Sequence, residues 1–169
     1  MAEGNQNGFV FWDEQIPNGH KAFFKLKVDR LDLIEKTFYP LDYYTSCRTI
    51  PTSWAIQLKY ERMQDAIGSY TFSINLKRID SSDHRVKASL YVSFYDVEDT
   101  LVFHPISSSI DRMAHDELKG MLENILPSML SEVVSVEVKI TIENCHEGTD
   151  WQCASKVNTD QNSINLSKL

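Results

Sequence analysis

The fold is decided by three stretches in the middle of the chain, which read SWAIQLKY (residues 53–60), YTFSINLK (70–77) and VKASLYVSFY (86–95). In each stretch, apolar side chains alternate with polar ones at every second position. Successive side chains of a strand point to opposite faces of a sheet, so this period indicates strands with one buried face. Turn-forming residues separate the stretches, and the polar Asp80-Ser81-Ser82-Asp83 is interpreted as a hairpin turn rather than a calcium loop. Three such strands in succession favour one antiparallel sheet. One sheet cannot cover its own apolar face, so a second layer must pack against it.

Further strands are predicted on both sides of this central part. The first strand, residues 9–16, is followed by Pro17-Asn18-Gly19, a sequence typical of turns. In the last strand, residues 134–142, apolar and polar residues alternate most regularly of all. The stretch 31–39 fits a helix or an edge strand, and we favour the strand, followed by a loop over 41–51. The fold class that follows is an all-β antiparallel β-sandwich of about seven to eight strands. The predicted strands are residues 9–16, 22–28, 31–39, 53–60, 70–77, 86–95, 100–106 and 134–142.

One short helix is predicted between the last two strands. After a linker-like turn at Ser107-Ser108-Ser109, the apolar residues recur every three to four positions instead of every two. Ser109 or Asp111 can cap this helix at its start, and Pro127 ends it. The apolar stripe consists of Met113, Leu118, Met121, Leu122 and Ile125.

The composition suggests one folded domain with loose ends. The chain has 169 residues and is 42% apolar, which is enough for a sizeable core. Residues 1–8 are small and polar, and residues 146–169 are rich in Gly, Asp, Asn, Ser and Gln. We therefore expect a disordered N-terminus over 1–8, the β-sandwich over 9–145 and a flexible tail over 146–169.

The charge and the apolar pattern exclude two classes of partner. The formal net charge is −7 and the basic residues are scattered, so the basic patch that grips nucleic acid is absent from the sequence pattern. No apolar run approaches the roughly 18 residues of a membrane span, and the start has no secretory pattern. Three cysteines cannot all pair within one chain, which fits a reducing compartment. We expect a cytoplasmic or nuclear protein without nucleic-acid or membrane partners.

No catalytic, metal or cofactor signature is present. The five histidines show no zinc-protease spacing, and no nucleophile elbow or phosphate-binding loop occurs. Cys145-His146 and Cys153 could supply soft ligands, but their spacing matches no zinc module and a fourth ligand is missing. We therefore predict a non-enzyme without metal or cofactor. Tyr91 and Tyr95 stand out instead, because both fall on the polar, outward parity of a central strand and could line a peptide-binding surface. The alternative is that these tyrosines bind no partner and that each ring packs over its neighbours with its hydroxyl group exposed to water.

The order of motifs resembles the MATH domain, the TRAF-like β-sandwich of TRAF proteins and of speckle-type POZ adaptors. Phe11-Trp12 with Ile16 resembles its opening strand, and Thr37-Phe38 its short strand before the tryptophan. Further segments resemble the family's patterns in order: residues 53–58 ("KW-x-hydrophobic"), 70–76 ("YLSLYL"), 86–93 ("VRAKFKFSI"), Asp116, Leu118 and Leu126-Pro127 ("RDFL…LLP"), and 134–142 ("LTLFCEVSV").

The resemblance implies a module that binds partner peptides, such as a substrate-recognition adaptor in ubiquitination or signalling. It adds Ile74 and Leu90 to Tyr91 and Tyr95 as candidate peptide-binding residues, because these two positions are aromatic in speckle-type adaptors. The parity of Ile74 and Leu90 in their strands would equally place them in the core. No "DWGF" segment occurs between residues 100 and 110, and no POZ domain is expected to follow. We expect a protein or peptide ligand, held in an extended groove or at a sheet edge. The alternative is a β-sandwich with a small-molecule or carbohydrate site built from loops.

Overall fold

The computed structural model describes residues 9–33 and 36–146. The predicted disordered N-terminus and all but the first residue of the predicted tail lie outside them. The described residues form nine strands, a 3₁₀ turn at Leu31–Leu33 and one short helix, α1, at Pro127–Leu130. The strands are β1 Phe9–Ile16, β2 Gly19–Lys27, β3 Lys36–Tyr44, β4 Ser53–Arg62, β5 Tyr70–Arg78, β6 Val86–Tyr95, β7 Ile106–Met113, β8 Glu117–Ile125 and β9 Ser135–Glu143.

Two antiparallel sheets enclose the core, and the predicted fold class is confirmed. The five-stranded sheet has the order β1-β2-β9-β6-β7, and the four-stranded sheet has the order β3-β4-β5-β8. Aromatic rings from the two sheets meet between them: Phe72 of β5 contacts Phe94 of β6 edge-to-face, with ring centroids 4.9 Å apart. Trp54 of β4 is fully buried and donates its indole N–H to Thr52 Oγ1 at 2.7 Å. The alternating residues of both inner faces therefore form one core.

The prediction that the three central strands form one antiparallel sheet is wrong. β4 pairs with β5, but β6 pairs with β7 and β9 in the other sheet. The segment containing Asp80-Ser81-Ser82-Asp83 therefore crosses between the sheets instead of closing a hairpin. A period of two shows which side chains of a strand are buried. Because both sheets of a sandwich bury alternate residues, the period does not show to which sheet a strand belongs.

Several strand boundaries differ from the prediction, and two of the differences are large. β3 continues through Pro40 to Tyr44, into the predicted loop, because β3 is an edge strand and proline needs no partner on its open side. The strand predicted over 100–106 is replaced by β7, which starts at Ile106 and includes the serines read as a linker. Ahead of β7, Leu101 lies opposite Tyr95, and the Val102 N–H donates to Phe94 O at 2.9 Å.

The helix predicted over residues 113–125 is wrong, because most of this segment is β8. Leu118 and Leu122 lie on the inner side of the strand with Gly120 between them, which gives no apolar signal. The pairing register with β5 then shifts by one residue before Ile125, as in a β-bulge. Apolar residues at 118, 122 and 125 consequently have the spacing of a helix although they form a strand. Among the described residues, no helix has the length and apolar character needed to cross a membrane.

Candidate functional site

Ile74 and Leu90 were predicted to bind a peptide, but both side chains lie between the two sheets and are inaccessible to one. Each side chain is 1% exposed. Their strands alternate strictly, and these positions share the inner face with the core. A peptide on the surface cannot reach them without opening the sandwich. The positions that are aromatic in speckle-type adaptors therefore serve packing here.

Tyr91 and Tyr95 lie on the outer face of the five-stranded sheet, on the side that their parity predicts. The strand register adds residues that the sequence pattern did not single out. Lys139 of β9 is directly opposite both Tyr91 of β6 and Phe23 of β2, and Phe23 is opposite Trp12 of β1. Four side chains thus form one row across four strands. We call Trp12, Phe23, Lys139 and Tyr91 the aromatic row.

The members of the aromatic row contact one another with regular geometry. The rings of Trp12 and Phe23 are stacked, with centroids 4.9 Å apart and planes 8° apart. The Lys139 ammonium lies 5.5 Å from the ring centroid of Phe23 and 5.5 Å from that of Tyr91. A cation within about 6 Å of a ring face is attracted by the ring quadrupole. Lys139 therefore joins the two aromatic groups instead of separating them.

A band of ion pairs flanks the aromatic row. Lys25 Nζ lies 3.0 Å from Glu137 Oε1 and 3.6 Å from Asp99 Oδ1, and it also lies 5.9 Å from the ring centroid of Tyr95. The hydrogen bond to Glu137 and the two carboxylate charges raise the pKa of Lys25. Glu137 is the carboxylate closest to Lys139 along β9, and it is engaged by Lys25. Within the described ranges, no Asp or Glu lies at ion-pair distance from Lys139.

A shallow depression lies over this part of the sheet. Its volume is about 260 Å³, and its walls include Trp12, Phe23, Tyr91, Tyr95 and Lys139. The Trp12 side chain is 44% exposed and that of Tyr91 37%. Large aromatic side chains grouped on a surface are typical of interaction sites, since they bury much area at small entropic cost. The arrangement can bind an apolar side chain against the rings and an acceptor group at the ammonium.

The sequence pattern indicated Tyr91 and Tyr95 as surface residues but did not indicate Trp12, Phe23 and Lys139. Trp12 lies on the polar parity of its strand, opposite to Phe11, but the apolar run over residues 9–12 hides that alternation. Phe23 is similarly hidden beside Phe24, which is buried. Lys139 looks like any outward lysine until the register brings it between two rings. Only the parity of Tyr91 and Tyr95 was visible.

No protein-family model and no curated protein matches the chain. One solved structure that matches is the enzymatically active domain of tailspike protein 4 of bacteriophage CBA120. The match has 12% sequence identity and a TM-score of 0.23, and it covers 73% of this chain but 18% of the tailspike chain. Similarity at this level carries no argument about fold or activity. The resemblance to the MATH domain stays a prediction.

Proposed function

We propose that this chain is a non-enzymatic protein-interaction module that binds an extended peptide on the outer face of its five-stranded sheet. The observation that supports it most is the aromatic row, in which Lys139 lies between Phe23 and Tyr91 at equal distances of 5.5 Å. The three rings of the row, on β1, β2 and β6, leave apolar area in water, which a partner would cover.

The chemistry of the row defines the partner. Trp12 and Phe23 offer a flat apolar surface, and Tyr91 adds a hydroxyl at its rim. The Lys139 ammonium lies beside the depression with aromatic neighbours, so a carboxylate of the partner would gain a charge-assisted hydrogen bond. The peptide we expect is extended and carries an acidic residue next to an apolar one.

The face of the sheet is a better candidate than its edge. The aromatic row runs across the strands from the edge strand β1 to β6 in the interior. A peptide added as a further strand beside β1 would reach Trp12 but would lie four strand spacings away from Tyr91, at about 5 Å per spacing. Docking across the face engages all four side chains of the row.

Two finer proposals depend on this one. If the chain acts as the resembled MATH family does, it selects substrates for ubiquitination or binds signalling receptors; the order of the sequence motifs supports that role. The alternative, a loop-borne small-molecule or carbohydrate site, requires a deep pocket with converging polar groups. The depression instead lies on the face of a sheet and is bordered largely by rings, which favours a peptide.

The proposal is tested with a displayed library of random peptides selected on the wild-type protein. Enriched peptides are synthesised, and their Kd is measured by fluorescence anisotropy. We expect acidic-apolar sequences, and Tyr91→Ala should weaken binding at least about tenfold, since a central aromatic contact is worth more than about 1.4 kcal/mol. Lys139→Gln should weaken binding and reduce its dependence on salt.

The matched control is Tyr44→Ala. Tyr44 is 61% exposed and belongs to β3, in the other sheet. It should bind the selected peptides like the wild type. Failure to enrich any peptide, or equal binding by the Tyr91→Ala and Tyr44→Ala proteins at equal thermal stability, contradicts the proposal.

A further inference from the structure

Four side chains with nitrogen or sulfur donors meet at one end of the sandwich. His20 is near the start of β2, Cys47 is in the loop after β3, and Cys145 and His146 follow β9. One donor atom from each of the four residues lies within 4.8 Å of every other. The four residues come from three separate segments, so their meeting is a property of the tertiary structure. We call them the Cys-His cluster.

The distances within the cluster fit tetrahedral coordination. His146 Nδ1 lies 3.5 Å from Cys47 Sγ and 3.6 Å from Cys145 Sγ. With Zn–S bonds of about 2.3 Å and Zn–N bonds of about 2.0 Å at tetrahedral angles, a sulfur and a nitrogen of one site are about 3.5 Å apart. Both measured separations therefore match the geometry of one shared ion.

The surroundings orient both histidine rings as ligands. Ile16 O lies 3.2 Å from His146 Nε2 and can only accept a hydrogen bond, so Nε2 carries the proton and Nδ1 presents its lone pair to the two sulfurs. The Gln15 amide, 3.4 Å from the same nitrogen, can turn its oxygen toward that N–H. His20 packs edge-on against His146, with ring centroids 5.2 Å apart, and its buried Nε2 has no hydrogen-bond partner among the described residues.

Three of the four side chains of the Cys-His cluster are buried, and His146 is half-buried. Cys145 is 0% exposed, His20 4% and Cys47 7%. A dication would replace the thiol protons, because metal binding to cysteine releases them.

We propose that His20, Cys47, Cys145 and His146 form a structural zinc site. Two thiolates and two imidazoles are a ligand set that selects zinc, and four protein ligands leave no open position for catalysis. On binding, two thiol protons go to solvent, and Zn²⁺ with two thiolates forms a neutral complex that burial tolerates. The backbone N–H of Ile50, 3.5 Å from Cys47 Sγ, donates to the thiolate. This site goes beyond the peptide-binding surface, which lies on the outer face of one sheet.

The zinc would connect the two sheets. His20, Cys145 and His146 belong to or follow strands of the five-stranded sheet, whereas Cys47 lies in the β3–β4 connection of the four-stranded sheet. Hydrogen bonds hold the same end together, since the Cys47 thiol donates to Cys145 O at 3.3 Å. The ion would replace that weak bond by coordination from both sheets.

The test measures the metal content of the full chain, produced without an affinity tag of histidines. Mass spectrometry of the metal should find one zinc per chain after dialysis against metal-free buffer. Cys47→Ser and His20→Gln should each reduce bound zinc to background. Cobalt added to the metal-free wild type should give a thiolate-to-cobalt charge-transfer band, which is absent from Cys47→Ser.

Two controls separate this assignment from its competitors. Cys153→Ser and His104→Gln leave all four ligands in place and should retain the zinc. Wild-type protein without zinc, zinc retained by Cys47→Ser, or zinc lost from Cys153→Ser would overturn the proposal. A disulfide between Cys47 and Cys145 in freshly purified protein would also overturn it.

Discussion

Arg78 is a charged residue inside the sandwich, and Asp80 balances its charge. The Arg78 side chain has no exposed surface, and its guanidinium donates to both carboxylate oxygens of Asp80, at 2.8 and 2.9 Å. The same guanidinium donates to the main-chain oxygens of His84 and Met113. Asp80 also accepts from the backbone N–H groups of Ser53 and Ser82. The pair therefore anchors the point where the chain crosses from one sheet to the other.

The first prediction concerns acid stability. Burial of Asp80 opposes its ionisation, but the hydrogen bonds from Arg78 and from two backbone N–H groups outweigh it, so the pKa falls below the ordinary 3.8. A carboxyl group with a lowered folded-state pKa stabilises the protein above its unfolded-state pKa, and this contribution is lost as the pH falls through the folded value. Asp80→Asn should cost about 3 kcal/mol near neutral pH, since it leaves a buried charge without its partner.

Urea denaturation over a series of pH values checks this. The difference in unfolding free energy between the wild type and Asp80→Asn should shrink below about pH 4. Glu117→Gln is the control, because Glu117 pairs with Lys77 and Lys119 at the surface, where ion pairs contribute little. Parallel stability curves for the wild type and Asp80→Asn across the acid range would refute the role of Asp80.

At the scale of one element, β8 depends on Gly120. A Cβ atom at this position would lie 2.3 Å from Ile106 Cγ2 and 3.2 Å from Ile74 Cγ2. Ile106 belongs to β7 in the opposite sheet, so glycine lets the sheets approach at this point. Both neighbours are β-branched, and their methyl groups have little freedom to move.

The second prediction is that Gly120→Ala destabilises the protein by about 1–3 kcal/mol, because it overpacks this contact. In an unconstrained backbone, replacing glycine by alanine stabilises a protein, so a loss of stability here would indicate the steric contact. Chemical denaturation measures the loss. In an Ile106→Leu background, which removes the Cγ2 methyl group, the cost of Gly120→Ala should be much smaller. An equal cost in both backgrounds would show that Ile106 is not the cause.

At the scale of the whole molecule, the proposed zinc would make the stability of the sandwich depend on metal. An ion bound only by the folded state stabilises it by about 4.1 kcal/mol when its free concentration is about a thousand times Kd. Chelation should therefore lower the Tm of the wild type by several degrees. Cys47→Ser should have a lower Tm that chelator no longer changes. A wild-type Tm that is insensitive to chelator would remove the stabilising role.

The alternation of apolar and polar residues by itself determined that this protein is an all-β sandwich. It also indicated which way Tyr91 and Tyr95 point, because the orientation of a strand side chain is a local property of the backbone. The same local rule failed over residues 113–125, where Gly120 and a bulge give a strand the spacing of a helix.

Strand neighbours were decided by the tertiary structure alone. β9 pairs with β2, from which it is separated by more than a hundred residues, and with β6, from which it is separated by about forty or more. The local period carries no information about such distant pairing. The row of Trp12, Phe23, Lys139 and Tyr91 exists only through that register. The meeting of Cys47 with Cys145 likewise needs both sheets to close on each other, since segments far apart in sequence become neighbours only when the core between them is packed.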